Sequence, residues 1–190
     1  MKRISPDTTK QAVQALAIIA TIFALDQICK TLAQGYLAPS GSVDILGDIL
    51  RFTYIENRGI AFGITIGNRF VFNSLSILAV LFLLVYMIKL SHVPRLRLAF
   101  AAILGGAAGN LTDRLSQGRV IDFFDLDFPD VVFPGIRLFN LDLAGFTLER
   151  WPVFNVADIA VFFGMLAIFS WVLSDFYPSN SLSNVRNEKA

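Results

Sequence analysis

Four apolar runs with almost no charged residue constrain the fold of this chain most strongly. They cover residues 12–25, 70–90, 98–112 and 159–173. A helix of a soluble bundle keeps a polar face in water, whereas these runs have almost no charge on any face. Three of the runs, 12–25, 98–112 and 159–173, approach the ~20 residues that cross a bilayer only when their polar flanks are included. We therefore predict a mainly α membrane protein with four transmembrane helices; the alternative is a soluble bundle of four buried helices.

The composition also favours a membrane protein. Of the 190 residues, 55% are hydrophobic and 16% are charged, against about 25% charged in an average soluble domain. The net charge of +1, without a basic stripe, gives no indication of nucleic-acid binding. The single cysteine, Cys29, excludes an internal disulfide and any multi-cysteine metal site. The single histidine, His92, is the only imidazole available to activate a serine or cysteine nucleophile.

The N-terminus combines a basic segment with an apolar run, as a secretory signal peptide does. The run ends in LDQICK instead of the small residues of a cleavage site, so an uncleaved first helix is predicted. Residues 1–10 are then an N-terminal tail, residues 11–176 a single membrane-embedded domain and residues 177–190 a C-terminal tail.

A strand pattern interrupts the apolar runs. Apolar and polar residues alternate over residues 50–56, which is typical of a half-buried strand. The sequence NRG from Asn57 to Gly59 predicts a turn, and residues 60–66 a second strand. A small β-sheet is expected at about residues 43–66.

Basic residues in short flanks predict the orientation in the membrane. The first ten residues contain three, and the connector between the second and third runs contains Lys89, Arg95 and Arg97 without an acid. Both termini and this connector are predicted to be cytoplasmic. Residues 31–69 and 112–154 are then outside.

The polar residues that could perform chemistry cluster where the third run ends and the fourth begins. In the stretch GGAAGNLTDRLSQGRVIDFFD, Asn110 and Arg114 lie four apart on one helical face. The sequence FNVAD places Asn155 and Asp158 three apart at the start of the fourth helix. Asp122 follows the third helix, so we expect it near Asp158 on the outer side.

Two neighbouring carboxylates cannot both ionise easily, so such a pair shares a proton. The ionised member can take a proton from water while the neutral member hydrogen-bonds the scissile carbonyl of a peptide. Asp122 and Asp158 could therefore hydrolyse a peptide bond without a metal or a covalent intermediate. Their positions alone also allow a solvated loop acid at Asp122 and a helix cap at Asp158.

Other residues of the helices suggest packing roles. Gly105 and Gly109 form a G-x-x-x-G pair that permits close approach of a second helix. Asp113, beside an arginine, is typical of a structural ion pair. Asp26 and Lys30, four apart at the predicted outer end of the first helix, could tie that helix to a loop.

Five motifs together resemble one family. GGAAGNLTDR, VIDFFD and FNVAD, with LDQICK near the N-terminus and NRGIAFG at Asn57, resemble the lipoprotein signal peptidases (signal peptidase II) in the family's order, over about residues 12–175. The resemblance implies an aspartic endopeptidase of the bacterial inner membrane. It implies a diacylglyceryl-modified prolipoprotein as substrate, membrane lipid as the surroundings, an active site at the outer face, a monomer and no cofactor or metal.

The resemblance also implies roles for particular residues. Asp122 and Asp158 match the family's two catalytic aspartates. Support of the site or substrate binding is implied for eight residues: Asn110, Arg114, Asn155, Asn57, Gly59, Phe62, Asp26 and Lys30. Residues 123–153 are longer than the family's short flap, so an enlarged outer loop is expected there.

Two functions of other classes remain open from the residues alone. A small proton-coupled transporter could use the same two aspartates as a relay, and a non-catalytic lipid-binding or assembly factor would need neither. A transporter predicts acids at midplane depth or an inverted repeat. The acids here cluster at one end of the helices, and the two halves show no evident similarity.

Overall fold

Four long helices and a small antiparallel sheet make up the computed structural model. It describes residues 6–47, 49–59, 69–89, 93–128, 130–138, 141–143, 145–148 and 150–176. The helices are α1 Pro6–Ser40, α2 Arg69–Lys89, α3 Pro94–Gln117 and α4 Val156–Phe176. The strands are β1 Ser42–Leu46, β2 Leu50–Asn57, β3 Val120–Leu126, β4 Val131–Phe133, β5 Ile136–Leu138, β6 Leu141–Leu143 and β7 Phe146–Leu148. The predicted fold class is confirmed.

Three of these helices are long and apolar enough to cross a membrane: α1, α2 and α4. The central helix α3 is less apolar because it carries polar residues such as Arg97, Asn110 and Asp113. All three side chains are buried. Polar groups that face neighbouring helices lower the hydropathy of α3 without exposing charge to lipid.

Glycines allow α3 to pack closely on α1 and α4. Gly105 and Gly109 face α1, where a Cβ at Gly109 would overlap the carboxylate of Asp26. Gly106 faces the backbone of Ala157 in α4. The close approach predicted for the G-x-x-x-G pair is confirmed, and Gly106 extends it to a second helix.

Helix α1 is longer than the first apolar run indicated. It continues to Ser40, ten residues beyond Lys30, whereas the sequence placed the outer end of this helix near Lys30. The prediction that Asp26 and Lys30 lie at the outer end of this helix was therefore wrong. Polar side chains that find partners on neighbouring helices do not interrupt the backbone hydrogen bonding of a helix.

The end of α3 directs the chain into the sheet. Gly118 adopts a left-handed conformation with φ 69°, and its N–H donates to the carbonyl of Arg114 across 3.1 Å. This is the usual glycine termination of a helix. Helix α3 therefore ends at Gln117, and two residues separate it from β3, which begins at Val120.

The three-stranded sheet has the order β1-β2-β3, with both pairs antiparallel. Its third strand comes from residues 120–126, outside the predicted limits of 43–66. Asp122 lies opposite Ile55 in this strand, so it is not a solvated loop acid, and the outer loop begins after residue 126 instead of at 123. The predicted strand at 60–66 lies outside the described residues.

Strands β4 to β7 lie within residues 127–153, the segment predicted as an outer loop, which we call the outer arm. Strand β4 pairs with β7, and β5 pairs with β6, each antiparallel. Arg150 pairs with Asp125 and Asp127 at the base of the arm, and Phe154 forms a β-bridge to Phe124. The arm is thus attached to β3 at both of its ends.

Candidate active site

The site lies where β3 meets the first turn of α4. Strand β3 supplies Asp122, which is 3% exposed, and α4 supplies Asp158. Backbone hydrogen bonds between Phe154 and Phe124 hold the segment before α4 against β3. The contact of this segment with β3 and the start of α4 together bring the carboxylates of Asp122 and Asp158 to one place.

Asn155 connects the two carboxylates. Its side-chain N–H group donates to Oδ1 of Asp122 across 2.6 Å, and its backbone N–H donates to Oδ2 of Asp158 across 3.1 Å. The N–H of Asp158 donates back to Oδ1 of Asn155 across 3.1 Å. This reciprocal arrangement is a helix-capping box. Asp158 therefore takes part in the N-terminal cap of α4, which is one of the two roles expected for it. Its carboxylate also faces Asn110.

Two further amides complete the donor set. Asn110 in α3 donates to Oδ1 of Asp158, and Asn57 at the end of β2 donates to Oδ2 of Asp122, each across 2.9 Å. The side-chain oxygen Oδ1 of Asn57 accepts the N–H of Gly59 across 3.0 Å. Each of the four carboxylate oxygens thus accepts one N–H group.

Burial raises the pKa of the Asp122 carboxyl to about 6. Hydrogen bonds from Asn57 and Asn155 oppose this effect, and the negative charge of Asp158 adds to it. A pKa in this range lets Asp122 exchange a proton near neutral pH.

A buried charged cluster lies beneath the carboxylates. The ammonium of Lys30 lies 2.7 Å from Oδ2 of Asp26, 2.7 Å from Oδ2 of Asp113 and 2.7 Å from Oδ1 of Asn110. Oδ1 of Asp26 accepts the N–H of Ala157 across 3.0 Å. The predicted pair of Asp26 and Lys30 is present, but it ties α1 to α3 and α4 instead of to a loop.

Gln27 is part of this cluster, and the sequence reasoning missed it. Its amide donates to Oδ1 of Asp113 across 3.0 Å and to Oδ2 of Asp26 across 3.2 Å. The available signal was a third polar residue beside Asp26 and Lys30 in a helix of the membrane.

Among the described residues, Arg114 forms no hydrogen bond with the carboxylate of Asp122 or Asp158. Its guanidinium lies over the ring of Phe72, 4.8 Å from the ring centroid, and its Nε is buried without a hydrogen-bond partner in the described part of the chain. It borders a cleft of about 360 Å³ beside Asn57. The cleft is lined by Asn57, Arg58, Phe72, Asn73, Arg114, Leu115, Ser116, Gln117 and Gly118.

The remaining predicted residues can be placed in part. Gly59 lies beside Asn57 at this edge of the site, whereas Phe62 lies outside the described residues. Within the described ranges, no three histidine, cysteine or acidic side chains are grouped as metal ligands. The chemistry that these residues can perform is proton transfer by carboxylates and hydrogen bonding by amides.

The fold matches solved membrane enzymes. A bacterial membrane enzyme structure determined by the in meso method at 1.9 Å resolution aligns with a TM-score of 0.67 at 25% identity, over 85% of this chain and 93% of that chain. A second, at 2.3 Å resolution, aligns with a TM-score of 0.67 at 24% identity, over 85% and 88%. Together with the apolar helices, this likeness gives the chain the fold of a multi-pass membrane protein.

The sequence comparisons identify the family. Residues 18–174 match the family described as Signal peptidase (SPase) II. Lipoprotein signal peptidases of Halothermothrix orenii and Chlorobium luteolum are 33% and 38% identical, over 81% and 78% of this chain and 92% and 85% of theirs. That of Moorella thermoacetica is 35% identical over 83% and 91%. The chain belongs to the signal peptidase II family, whose members are peptidases of the aspartic type.

Membership confirms the resemblance seen in the motifs and the prediction of an aspartic-type peptidase. It gives no support to the transporter or to the non-catalytic lipid-binding factor. The family and the apolar helices together indicate a multi-pass protein of the inner membrane.

Proposed function

We propose that this protein removes the signal peptide from diacylglyceryl-modified prolipoproteins, with Asp122 and Asp158 as its catalytic pair. The observation that carries the proposal is the set of four N–H donors that holds both carboxylates at one point. The substrate class rests on the relatives, which are lipoprotein signal peptidases.

The proposed reaction needs one ionised and one protonated carboxyl group. Asp158 takes a proton from water as the water oxygen attacks the scissile carbonyl carbon. Asp122 gives its proton to the carbonyl oxygen, so a neutral tetrahedral diol forms. The diol then collapses: the C–N bond breaks, the amine nitrogen receives the proton from Asp158, and a diol hydroxyl returns its proton to Asp122.

Asp122 suits the protonated role because its pKa is already raised to about 6. A bound peptide would exclude more water and favour the neutral form further. The cleft beside Arg114 and Asn57 offers donors for substrate carbonyl groups, which supports the binding roles implied for both residues.

A site at the outer boundary of the membrane would suit a lipid-bearing substrate. The diacylglyceryl chains can stay in the bilayer while the peptide reaches the pair. We propose that both termini are cytoplasmic and that the site faces outwards, on the basis of the basic residues in the short flanks. We also propose that the enzyme acts as a monomer.

The test is cleavage of a diacylglyceryl-modified prolipoprotein by purified protein in detergent. Asp122→Asn and Asp158→Asn should each abolish release of the signal peptide while the variants still insert into membranes. Asp44→Asn, which changes an exposed carboxylate of β1, should retain activity. Substantial activity in either pair variant, or strict dependence on added metal, would overturn the proposal.

A further inference from the structure

We infer that Arg150 is a positioning residue for this hydrolysis: it clamps the C-terminal end of the outer arm to β3, so that movement of the arm does not displace Asn155. The inference rests on the proposed function. Arg150 lies in the segment that exceeds the family's short flap, and it is not among the residues for which the resemblance implied a role.

The outer arm joins the rest of the protein at its two ends. Within the described residues, strands β4 to β7 pair only among themselves. At the first end, the N–H of Asp127 donates to the carbonyl of Ile49 across 2.9 Å, which continues the ladder between β2 and β3. At the second end, residues 150–154 lead back to α4. A displacement of the arm therefore reaches the site through these two connections.

The second connection leads directly to Asn155. Phe154, the residue before it, exchanges backbone hydrogen bonds of 2.7 and 3.0 Å with Phe124, and the two rings stack with their centroids 5.5 Å apart. Asn155 then donates to both carboxylates of the pair. Because β3 is held by its own ladder, a shift of residues 150–154 would move the Asn155 amide relative to the carboxylate that β3 supplies.

Arg150 ties the outer end of this segment to β3. Its Nε donates to Oδ1 of Asp125 across 2.5 Å, and its Nη1 lies 3.4 Å from Oδ2 of Asp127. The side chain of Asp125 is 8% exposed, and its Oδ2 accepts the hydroxyl of Thr53 in β2 across 2.7 Å. Thr53 in turn hydrogen-bonds the hydroxyl of Ser42 in β1 across 2.9 Å. The clamp is thus anchored in all three strands of the sheet.

The contact with Asp125 is the stronger of the two contacts of Arg150. A charge-assisted hydrogen bond to a buried carboxylate is worth more than an ion pair in water. Asp127 is 37% exposed and lies farther from the guanidinium, so water screens that contact. We therefore expect the clamp to depend on Asp125 and to survive the loss of the Asp127 carboxylate.

Matched variants separate the clamp from the burial of charge. Arg150→Met alone would leave a buried carboxylate without this cation, which destabilises the fold. Arg150→Met combined with Asp125→Asn removes one positive and one negative charge, and an asparagine carbonyl at position 125 can still accept from Thr53. Arg150→Lys keeps a cation that can donate to Asp125.

We expect the double variant to lower kcat about tenfold, because a small misplacement of catalytic groups is costly. Arg150→Lys should retain most of the parent's kcat. Asp127→Asn is the control, and it should leave kcat unchanged because it removes only the exposed contact. The assay is release of the signal peptide from a diacylglyceryl-modified prolipoprotein by the purified protein in detergent.

A second comparison makes the same two substitutions in a chain whose residues 128–148 have been shortened. Without the long arm, no displacement reaches residues 150–154, so the substitutions should change kcat little. Such a dependence of one change on another is the sign of coupled groups. A purely structural ion pair would give the same fold loss in both chains.

Hydrogen exchange gives this comparison without requiring activity. The backbone amides of Phe154 and Asp158 donate to the carbonyl of Phe124 and to Oδ1 of Asn155. Both amides should exchange several-fold faster in the double variant when the arm is intact, and at the parent's rate when it is shortened. If the shortened chain is inactive, this measurement decides alone.

The inference would be overturned by unchanged kcat and exchange in the double variant with its arm intact. Equal effects with the long and the shortened arm would overturn it as well. Activity in Asp122→Asn or Asp158→Asn would instead overturn the proposed function, and the exchange result does not depend on that outcome.

Discussion

The side-chain amide of Asn155 lies 2.6 Å from Asp122, although the two residues are 33 positions apart. Asn155 also caps the N-terminus of α4, where its side-chain oxygen Oδ1 accepts the N–H of Asp158. One residue therefore joins a structural task, the start of a helix, to the placement of both carboxylates.

These two tasks of Asn155 can be separated by mutation. Asn155→Ala should abolish most peptidase activity and cost about 1 kcal/mol of stability, because α4 loses its cap. Asn155→Ser should recover most of that stability, since a serine can cap the helix, but its shorter side chain cannot donate to Asp122. The measurement is thermal unfolding in detergent beside signal-peptide release. Equal activity in the serine variant and the parent would contradict the bridging role.

The raised pKa of Asp122 predicts a dependence of stability on pH. Because its pKa is about 6 in the folded protein and near 3.9 in an unfolded chain, its neutral form favours folding. That contribution is complete below the unfolded pKa and is lost as the pH rises through about 6. The limit is on the order of 3 kcal/mol.

The melting temperature of the parent should therefore fall between about pH 4 and about pH 7. Asp122→Asn cannot titrate and should flatten this part of the curve. Scanning calorimetry or dye-based unfolding across this range would check it. Identical slopes for parent and variant would show that Asp122 is not the titrating group.

The glycines of α3 predict a packing defect on substitution. Gly106→Ala and Gly109→Ala should each lower stability by about 1–3 kcal/mol, because a Cβ would overlap Ala157 or Asp26. Gly35→Ala in α1 is the matched control, because its Cβ would meet no atom within 4 Å. That substitution should be neutral or slightly stabilising. If all three variants melt alike, close helix packing at α3 is not what these glycines provide.

The outer arm predicts an effect on substrate handling. Strand β4 exposes three apolar residues, including Val132 at 67%, and we propose that the arm lies on the membrane surface and moves to admit substrate. Long loops in compact domains are usually functional lids or disordered segments. Shortening residues 128–148 should reduce turnover or alter preference among prolipoproteins, with membrane insertion intact.

A full-length control keeps the arm but changes its surface. Val132→Ser combined with Phe133→Ser retains the length and should give a smaller effect in the same direction. A shortened protein that cleaves every tested prolipoprotein as fast as the parent would rule out a role for the arm.

The proposed orientation predicts different labelling of two exposed positions. In a Cys29→Ala background, Val132→Cys should react with an impermeant thiol reagent added from outside. Arg95→Cys, in the exposed first turn of α3, should react only after the membrane is permeabilised. The parent chain with Cys29 replaced gives the background signal. The opposite pattern would reverse the orientation.

The sequence by itself determined the number and kind of the long elements. Runs without charge predict helices that lie in lipid, since the cost of burying charge there acts on each segment separately. The same local reasoning placed Asn155 and Asp158 on the first turn of a helix and Gly105 and Gly109 on a packing face. The motifs predicted the residues of the candidate site because the spacing within each element is local.

Only the tertiary structure decided which polar groups of these elements contact each other. The pairing of β2 with β3 puts Asp122 in a buried strand, and the partners of Lys30 come from α1 and α3. The tertiary structure also decided how far α1 continues beyond the apolar run that ends at residue 25, and which groups Gln27 contacts. Each depends on hydrogen bonds and ion pairs between residues far apart in the chain. A local pattern of hydrophobicity carries no information on which distant donor meets which acceptor.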